Sequence, residues 1–439
     1  MFPGPNTRDQ LTGLAGRLDI ARLLDSGQSG DDAFGVGAVL FVDLDRFKWI
    51  NDSMGHHVGD EVLRTVARRL ERQVRAGDVA ARFGGDEFVV VMASIKSVTE
   101  TTKVAKRIVE SLSQPMQIGD VQVGVGASVG IAIAQHQSDT SDLLRQADTA
   151  LYEAKRRGRG RHVIFDHRLA ARAEHRVKVE SAIRSAILDD QLTVNYQPIV
   201  DLASGRIVAY EGLARLSNPE VGPISPAEFI PLACEIGEIV EVGRHLRQLL
   251  ITDLAQVLQH QPEMVFAVNL ASAELGQPDL AERISAECEA LSLPPRHLSI
   301  ELSEDLLVRD QRRLHRTLND LRHLGARISL DDFGTGQASL TSLRGIEVDE
   351  IKIDGSFVSG VVENPFDRAT CEAIRILADA MGATVVAEGI ESPEEVDVLR
   401  AIGVEYGQGY YFAKPAAIDW SDTDNLATNV ELGTNRELR

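Results

Sequence analysis

The chain has 439 residues, 44% hydrophobic and 26% charged; that length calls for two or three domains, and that composition belongs to a soluble globular protein. The formal net charge of −20 repels a nucleic-acid backbone, which excludes broad DNA or RNA binding. No apolar run approaches the roughly 18–20 residues that cross a bilayer, the polar start is no signal peptide, and three scattered cysteines (Cys234, Cys288, Cys371) fit reduced thiols in a cytoplasmic protein.

The first elements alternate in type. "VGAVLFVDLD" (36–45) is an apolar run ending in acids and reads as a buried strand. A helix is predicted over 59–74, with Val62, Leu63, Val66, Leu70 and Val74 at helical spacing. "DVAARF" and "EFVVVM" flank Gly84-Gly85 and read as a hairpin with the glycine pair as its turn, which sets Asp86 and Glu87 side by side. Residues 98–112 read as a helix, 121–134 as strand material, and 140–158 as a helix with Gly158 just past its end. That helix ends in "KRRGRGR" (155–161), five cations in seven residues; a basic last turn is favourable against the helix dipole and is by itself no binding site. The charged stretch 166–190 lacks Gly and Pro and reads as a helical linker.

Strand candidates then recur at 192–200, 207–213, 265–270, 298–302, 326–331, 350–353, 384–387 and 406–412, mostly separated by helical stretches. Eight strands with helical crossovers over about 250 residues is the arithmetic of a (β/α)8 barrel. Their ends carry Glu211 and Arg215, Asn269, Glu301 and Glu304, Asp331 and Asp332, Lys352 and Asp354, Glu388 and Glu391, and Gln408. One acid at a strand end is usually a cap. So many converging on one rim repel each other and require cations, and an all-oxygen set suits Mg²⁺ or Mn²⁺. Such a pair of metals serves phosphodiester hydrolysis, and Lys352 would offset phosphate charge or orient the nucleophile. "DFGTG" (332–336) reads as a loop able to close over a ligand.

These segments carry a family resemblance from about Asp9 to about Ala416. "DQLTGL" (9–14), "DLDRFKWINDSMGHHVGD" (43–60), "RFGGDEF" (82–88), "ASVGIA" (127–132) and "ALYEAKRRGR" (150–159) precede "YQPIVDL" (196–202), "EGL" (211–213), "PAEFIPLA" (226–233), "VNL", "IELSE", "DDFGTG", "VDEIKID" (348–354), "AEGIE" and "QGYYFAKP" (408–415). The ordered series resembles the tandem GGDEF–EAL proteins of bacterial cyclic di-GMP signalling. The resemblance implies an α/β chain of two domains: a nucleotidyl-cyclase-like GGDEF domain with a central, mostly antiparallel sheet (1–166), then a helical linker (167–185), a TIM-barrel-like (β/α)8 EAL domain (186–425) and a C-terminal tail (426–439).

For the first domain the resemblance implies a diguanylate cyclase that condenses two GTP to cyclic di-GMP. Asp43, Asp86 and Glu87, with the backbone carbonyl of Leu44, match the positions that hold Mg²⁺ against the GTP phosphates. Asn51 and Asp60 match the guanine readers, and Lys48, Lys155 and Arg159 the phosphate contacts. Gly84 and Gly85 leave room for the nucleotide beside the backbone. Since one such domain binds one GTP, a homodimer is implied. Arg75 and Asp78 of "RAGD" match the inhibitory cyclic di-GMP site.

For the second domain it implies a phosphodiesterase that opens cyclic di-GMP to linear pGpG. Glu211, Asn269, Glu301 and Asp331 match metal ligands, with Asp332 on a second metal. Lys352 and Glu388 match the residues that handle the attacking water, Glu388 as general base. Glu304 matches the acid that steadies the DFGTG loop, and Gln197, Arg215 and Gln408 match substrate or supporting positions. The sequence departs from the family at Gly212 (Ala in the signature), Leu216 (Trp), Ala271 (Ser), Ser303 (Thr), "GTGQASL" (334–340) and "GLAGR" (13–17). Both activities together, a phosphodiesterase with a GTP-binding regulatory GGDEF domain, and a non-catalytic receptor are the three readings left open. Eight residues precede the first motif, so no sensor domain is visible ahead of it.

Overall fold

A computed structural model describes residues 8–26, 36–134, 140–189, 191–304, 306, 311–335, 343, 345–418 and 420. It divides into two compact units, Met1–Arg176 and Val177–Arg439.

The first unit runs α1 (Arg17–Ser26), β1 (Ala38–Asp45), α2 (Phe47–Met54), α3 (His56–Glu71), β2 (Val79–Gly84), β3 (Glu87–Met92), α4 (Val98–Ser113), β4 (Met116–Ile118), β5 (Val121–Val123), β6 (Gly126–Ile133), α5 (Thr140–Arg156) and β7 (His162–Ile164). The central sheet has the order β2-β3-β1-β6-β7, antiparallel except for β6 with β7. Both faces are covered, so its strands read as near-continuous apolar runs. On β1, Ala38, Leu40, Val42 and Leu44 face one core, while Val39 and Phe41 face another beneath α1 and α5. The period of two then sends Asp43, the next odd residue, to the α5 face. Glu87 lies directly opposite Asp43 and shares its parity with Val89 and Val91 on that face.

Two sequence expectations shift here. The strand material at 121–134 is β5 and β6, broken at Gly124 and Val125. The hairpin turn is Gly85-Asp86 rather than Gly84-Gly85: Gly84 still pairs with Glu87, and the left-handed backbone (φ 49°) is at Gly85. A bulge between Arg82 and Gly84 moves the turn by one residue.

A long helix, α6 (His167–Ala186), covers the division between the units. The second unit continues with β8 (Leu192–Asp201), β9 (Ile207–Asn218), β10 (Gly222–Ile224), α7 (Pro226–Ile236), α8 (Ile239–Val257), β11 (Val265–Asn269), α9 (Ser272–Leu275), α10 (Leu280–Ala290), β12 (Leu298–Ser303), α11 (Gln311–His323), β13 (Arg327–Phe333), β14 (Glu350–Ile353), α12 (Gly355–Val358), α13 (Pro365–Met381), β15 (Thr384–Ala387), α14 (Pro393–Ile402) and β16 (Tyr406–Gly407). The order β9-β11-β12-β13-β14-β15-β16-β8, closed by β8 on β9, makes an eight-stranded barrel, with β10 as a side hairpin. One strand is reversed: β8 runs antiparallel to both neighbours. The connection from Asp201 to Ile207 turns at Gly205 (φ 75°), and so short a link makes a hairpin and no helical crossover.

Period-two alternation in the barrel separates packing from chemistry. Phe266 and Val268, Leu298, Ile300 and Leu302, Ile328 and Leu330, Ile351 and Ile353, and Val385 and Ala387 join the apolar core. Their alternates are Asn269, Glu301, Asp331, Lys352 and Glu388. The helices close the outside with ordinary signals. On α14 the Ser392 hydroxyl caps Glu395 N–H at 3.3 Å, Pro393 takes the first turn, and Gly403 ends it left-handed (φ 94°). The expected tail (426–439) and the altered residues Gln337 and Ala338 lie outside the described residues.

Candidate active sites

At the first site the sheet end and the end of α5 converge. Lys155 Nζ is 2.7 Å from Asp43 Oδ2, and Leu44 N–H donates to the Asp86 carbonyl at 3.4 Å. Burial raises the Asp43 carboxyl despite Lys155, and Asp86 and Asp45 push it further the same way. Burial, then Asp43, raises Glu87. Two facing carboxylates whose charged forms are disfavoured, beside a third on the turn, are a donor set that fits a hard divalent cation. Within the basic stretch, the Lys155 side chain is tied to Asp43, and Gly160 N–H donates to Asp45 at 3.0 Å. Arg156 and Arg157 pair with Glu153 at 2.9 and 2.7 Å, and Arg159 is exposed at the corner after α5 in left-handed backbone (φ 60°).

Asn51 on α2 and Asp60 on α3 lie on either side of a corner that turns at Gly55 (φ 86°). A side chain on Gly59 would sit 2.0 Å from Asn51 Oδ1, so that glycine makes room for the carboxamide. Lys48 is exposed on α2. Sequence reasoning passed over Arg82, which donates to the Gly85 carbonyl at 2.7 and 3.0 Å and stands 3.3 Å from Asp9, holding the hairpin turn from behind. Arg75 and Asp78 are brought together, Nε to Oδ1 at 3.6 Å. Arg75 also donates to Glu100 at 2.9 Å and to the Ser94 carbonyl, and Asp78 accepts Ala93 N–H at 3.2 Å. A cavity of about 470 Å³ beside them is lined by Lys96, Lys103 and Arg107 as well.

In the barrel, Lys352 is fully buried and its ammonium stands among four carboxylates: Glu388 Oε1 at 2.6 Å, Glu301 Oε1 at 2.7 Å, Glu211 Oε2 at 3.3 Å and Asp331 Oδ1 at 3.5 Å. Asn269 Nδ2 bridges Glu211 and Glu301 at 2.9 Å each. Gln408 Nε2 donates to Glu211 at 2.6 Å and to Gln197 at 3.0 Å, and Gln197 in turn donates to the Ala413 carbonyl. Arg215 lies on β9 four residues beyond Glu211, donating to the Ala214 carbonyl. Glu304 accepts Gly334 N–H at 2.8 Å at the start of the DFGTG segment. Asp332 is in left-handed backbone (φ 54°), which turns the chain straight after Asp331.

The electrostatics follow from this crowding. Burial alone would lower Lys352, but the surrounding acids, Glu211 and Glu301 foremost, hold it well above its usual range. Burial raises Glu301 well up, and Glu211 adds to that. For Glu211, Lys352 and hydrogen bonds from Gln408 and Asn269 outweigh burial and keep the carboxyl low. Burial lifts Glu388 to about 7 against the pull of Lys352. Burial, then Asp331 and Asp354, lifts Asp332 to about 6. Asp354 was read only as a strand end; it caps α12 through Ser356 N–H at 2.9 Å and leans on Asp332.

The rim fits a divalent cation. Oxygens of Asp331, Asp332 and Glu388 lie within 4.8 Å of one another, and Asp331 Oδ1 is buried without a hydrogen bond. The donors are all oxygen. Asn269 presents its NH₂ to the acids; turning the carboxamide over presents its oxygen instead.

The sequence of the barrel region, 180–415, matches the family described as EAL domain, more than half of the chain, and residues 6–161 match "Diguanylate cyclase, GGDEF domain". The chain belongs to the tandem GGDEF–EAL family. The cyclic di-GMP phosphodiesterase PdeR of Escherichia coli (strain K12) is 35% identical over 408 residues, 93% of this chain and 61% of PdeR. The bifunctional diguanylate cyclase/cyclic di-GMP phosphodiesterase MucR of Pseudomonas aeruginosa is 34% identical over 380 residues, 86% of this chain and 55% of MucR. The chain thus spans little more than half the length of these relatives. A solved structure titled "PaMucR Phosphodiesterase, c-di-GMP complex" superposes on 54% of this chain and 97% of its own, with a TM-score of 0.53 and 30% identity. Among the described residues, no helix of the EAL or GGDEF domain is long and apolar enough to cross a membrane.

Proposed function

We propose that the EAL domain is a divalent-metal-dependent phosphodiesterase that opens cyclic di-GMP to linear pGpG. The observation that carries it is the buried Lys352 among Glu211, Glu301, Asp331 and Glu388. Glu211, Asn269, Glu301 and Asp331 would hold one Mg²⁺ or Mn²⁺, and Asp331 with Asp332 a second. Bound there, the ions would acidify a water and stabilise the departing oxygen. Lys352 orients Glu388, whose carboxyl, lifted to about 7, is matched to taking a proton from that water near neutral pH. Arg215, Gln197 and Gln408 would position the dinucleotide, and Glu304 would steady the loop beginning at Gly334.

We further propose that the GGDEF domain binds GTP and, in a homodimer, condenses two GTP to cyclic di-GMP. Its support is the filled acid set, Asp43 facing Glu87 with Asp86 on the turn and Lys155 tied to Asp43. Arg75 and Asp78 would bind the product as an inhibitor. A second reading, in which this domain binds GTP only to regulate the phosphodiesterase, is favoured by the name of the relative PdeR. Purified protein incubated with Mg²⁺ and either GTP or cyclic di-GMP, with products separated by chromatography, decides between them. pGpG from cyclic di-GMP is expected; its absence overturns the phosphodiesterase. Cyclic di-GMP from GTP is expected; its absence leaves the regulatory reading. We propose a cytoplasmic location for both activities.

A further inference from the structure

The segment after β11 is held from two sides. Toward the barrel, Asn269 donates to Glu211 and Glu301, and Leu270 N–H donates to the Glu301 carbonyl at 3.1 Å. Away from it, α9 has four residues and begins after Ala271, whose methyl can accept nothing. Only the return half of a capping box is left: Glu274 reaches back to Ala271 N–H at 3.2 Å. Glu274 is 2% exposed and is locked in turn by Arg247 of α8, at 2.9 Å. Arg247 is 1% exposed and uses its other nitrogens on Glu287, at 2.7 and 3.2 Å. A side chain on Gly243, one turn earlier on α8, would lie 2.3–2.5 Å from the Glu274 carboxylate, so a glycine there lets the helix back against it.

Apolar packing supplies part of this support, through the buried Leu270 and Leu275 on either side of Ala271. Behind the segment lies a cavity of about 330 Å³, bounded by Gly212, Leu250, Val268, Asn269 and Glu274 among others. Where the loop borders that cavity, its directional bonds fix what packing leaves free. Buried charges are costly unless paired, so the pair at Glu274 needs a reason other than stability.

We propose that Arg247 and Glu274 are positioning residues that set Asn269 against Glu211 and Glu301 and so fix the affinity of the acidic rim for divalent cations, which rests on the reading of that rim as a cation site. Partners that orient ligands from behind typically change metal affinity 10–100-fold when altered.

The test is Mn²⁺ binding to the full chain without nucleotide, followed by electron paramagnetic resonance of the free ion. The barrel's contribution is the difference between the parent and Asp331→Asn. Glu274→Gln keeps Arg247 paired with Glu287 and is expected to weaken barrel binding by roughly 10-fold or more. Adding Ala271→Ser to Glu274→Gln gives α9 a side-chain cap and is expected to recover most of that loss, which a general destabilisation would not. Arg247→Lys cannot fork to both acids and is expected to match Glu274→Gln, should the latter fail to fold. Unchanged Mn²⁺ affinity in folded Glu274→Gln or Arg247→Lys overturns the positioning role. No difference between the parent and Asp331→Asn overturns the cation site itself.

Discussion

Lys352 Nζ and Glu388 Oε1 stand 2.6 Å apart inside a barrel wall with no exposure at the lysine. The contact places a cation where four carboxylates would otherwise repel one another, and it makes Lys352 the electrostatic centre of the site. Removing one partner of a buried pair costs about 3–5 kcal/mol because the other charge stays uncompensated. Lys352→Met is therefore expected to lower the barrel's thermal transition at neutral pH without Mg²⁺. The loss is expected to shrink when Mg²⁺ is added or when acid protonates the carboxylates, while hydrolysis stays abolished. Calorimetry with and without Mg²⁺ checks this; a variant as stable as the parent without Mg²⁺ contradicts it.

Protons and cations compete for the rim. Asp332 and Glu388 are lifted to about 6 and about 7, both above ordinary carboxylates. A cation needs them ionised, so its affinity is expected to rise with pH between about 6 and 7 and then level off, with protons released on binding below that range. For the cation-free protein the sign is opposite. A raised carboxyl contributes stability that is complete below its unfolded value near 4 and is lost as pH rises through 6 and 7. Titration calorimetry in two buffers of different ionisation enthalpy reads the released protons; equal heats in both buffers at pH 6 would sink the idea.

The two sites use separate acids, and their losses are expected to be separate. Asp86→Ala is expected to abolish synthesis from GTP and leave hydrolysis of cyclic di-GMP intact. Glu211→Ala, which removes the acceptor shared by Asn269, Gln408 and Lys352, is expected to do the reverse. Product chromatography on both substrates reads each activity. One substitution that removes both activities contradicts two independent sites.

What the sequence made legible was residue chemistry at strand ends. Alternation within β12, β13 and β14 already separates Glu301, Asp331 and Lys352 from their apolar neighbours, so the acidic rim could be written down without coordinates. Geometry set by turns was harder. The reversal of β8 follows from the five residues between Asp201 and Ile207, a connection length that excludes a crossover helix and that strand counting ignores. The turn at Gly85-Asp86 depends on a bulge at Phe83, which no local composition announces. Arg247, Glu274 and Arg82 were invisible for another reason. Each acts across 27 to 73 residues of sequence, on Glu274 from Arg247 and on Asp9 from Arg82, and a single charged residue in a helix or strand carries no mark of its partner.

The Gly-for-Ala departure at Gly212 has a predictable sign. A Cβ there would meet Leu250 Cδ1 at 2.4 Å, with Val194 Cγ1 at 3.3 Å and the Ala267 carbonyl at 3.4 Å. The first contact is severe, but it is with the tip of a leucine that itself borders the cavity of about 330 Å³ behind β9. Leu250 can swing into that space, and the other two contacts need shifts of only a few tenths of an ångström. The new methyl also removes the conformational freedom a strand glycine loses on folding, about 0.5–1 kcal/mol. Gly212→Ala is therefore expected to stabilise the barrel by about 0.5 kcal/mol or slightly more. It is expected to leave hydrolysis unchanged, since Glu211 keeps its inward parity and its contacts to Asn269, Gln408 and Lys352. Urea unfolding of the barrel transition reads the first effect and cyclic di-GMP turnover the second. A fall in stability would mean that Leu250 has no room to move and that the space behind the signature strand is not the accommodating void the geometry describes.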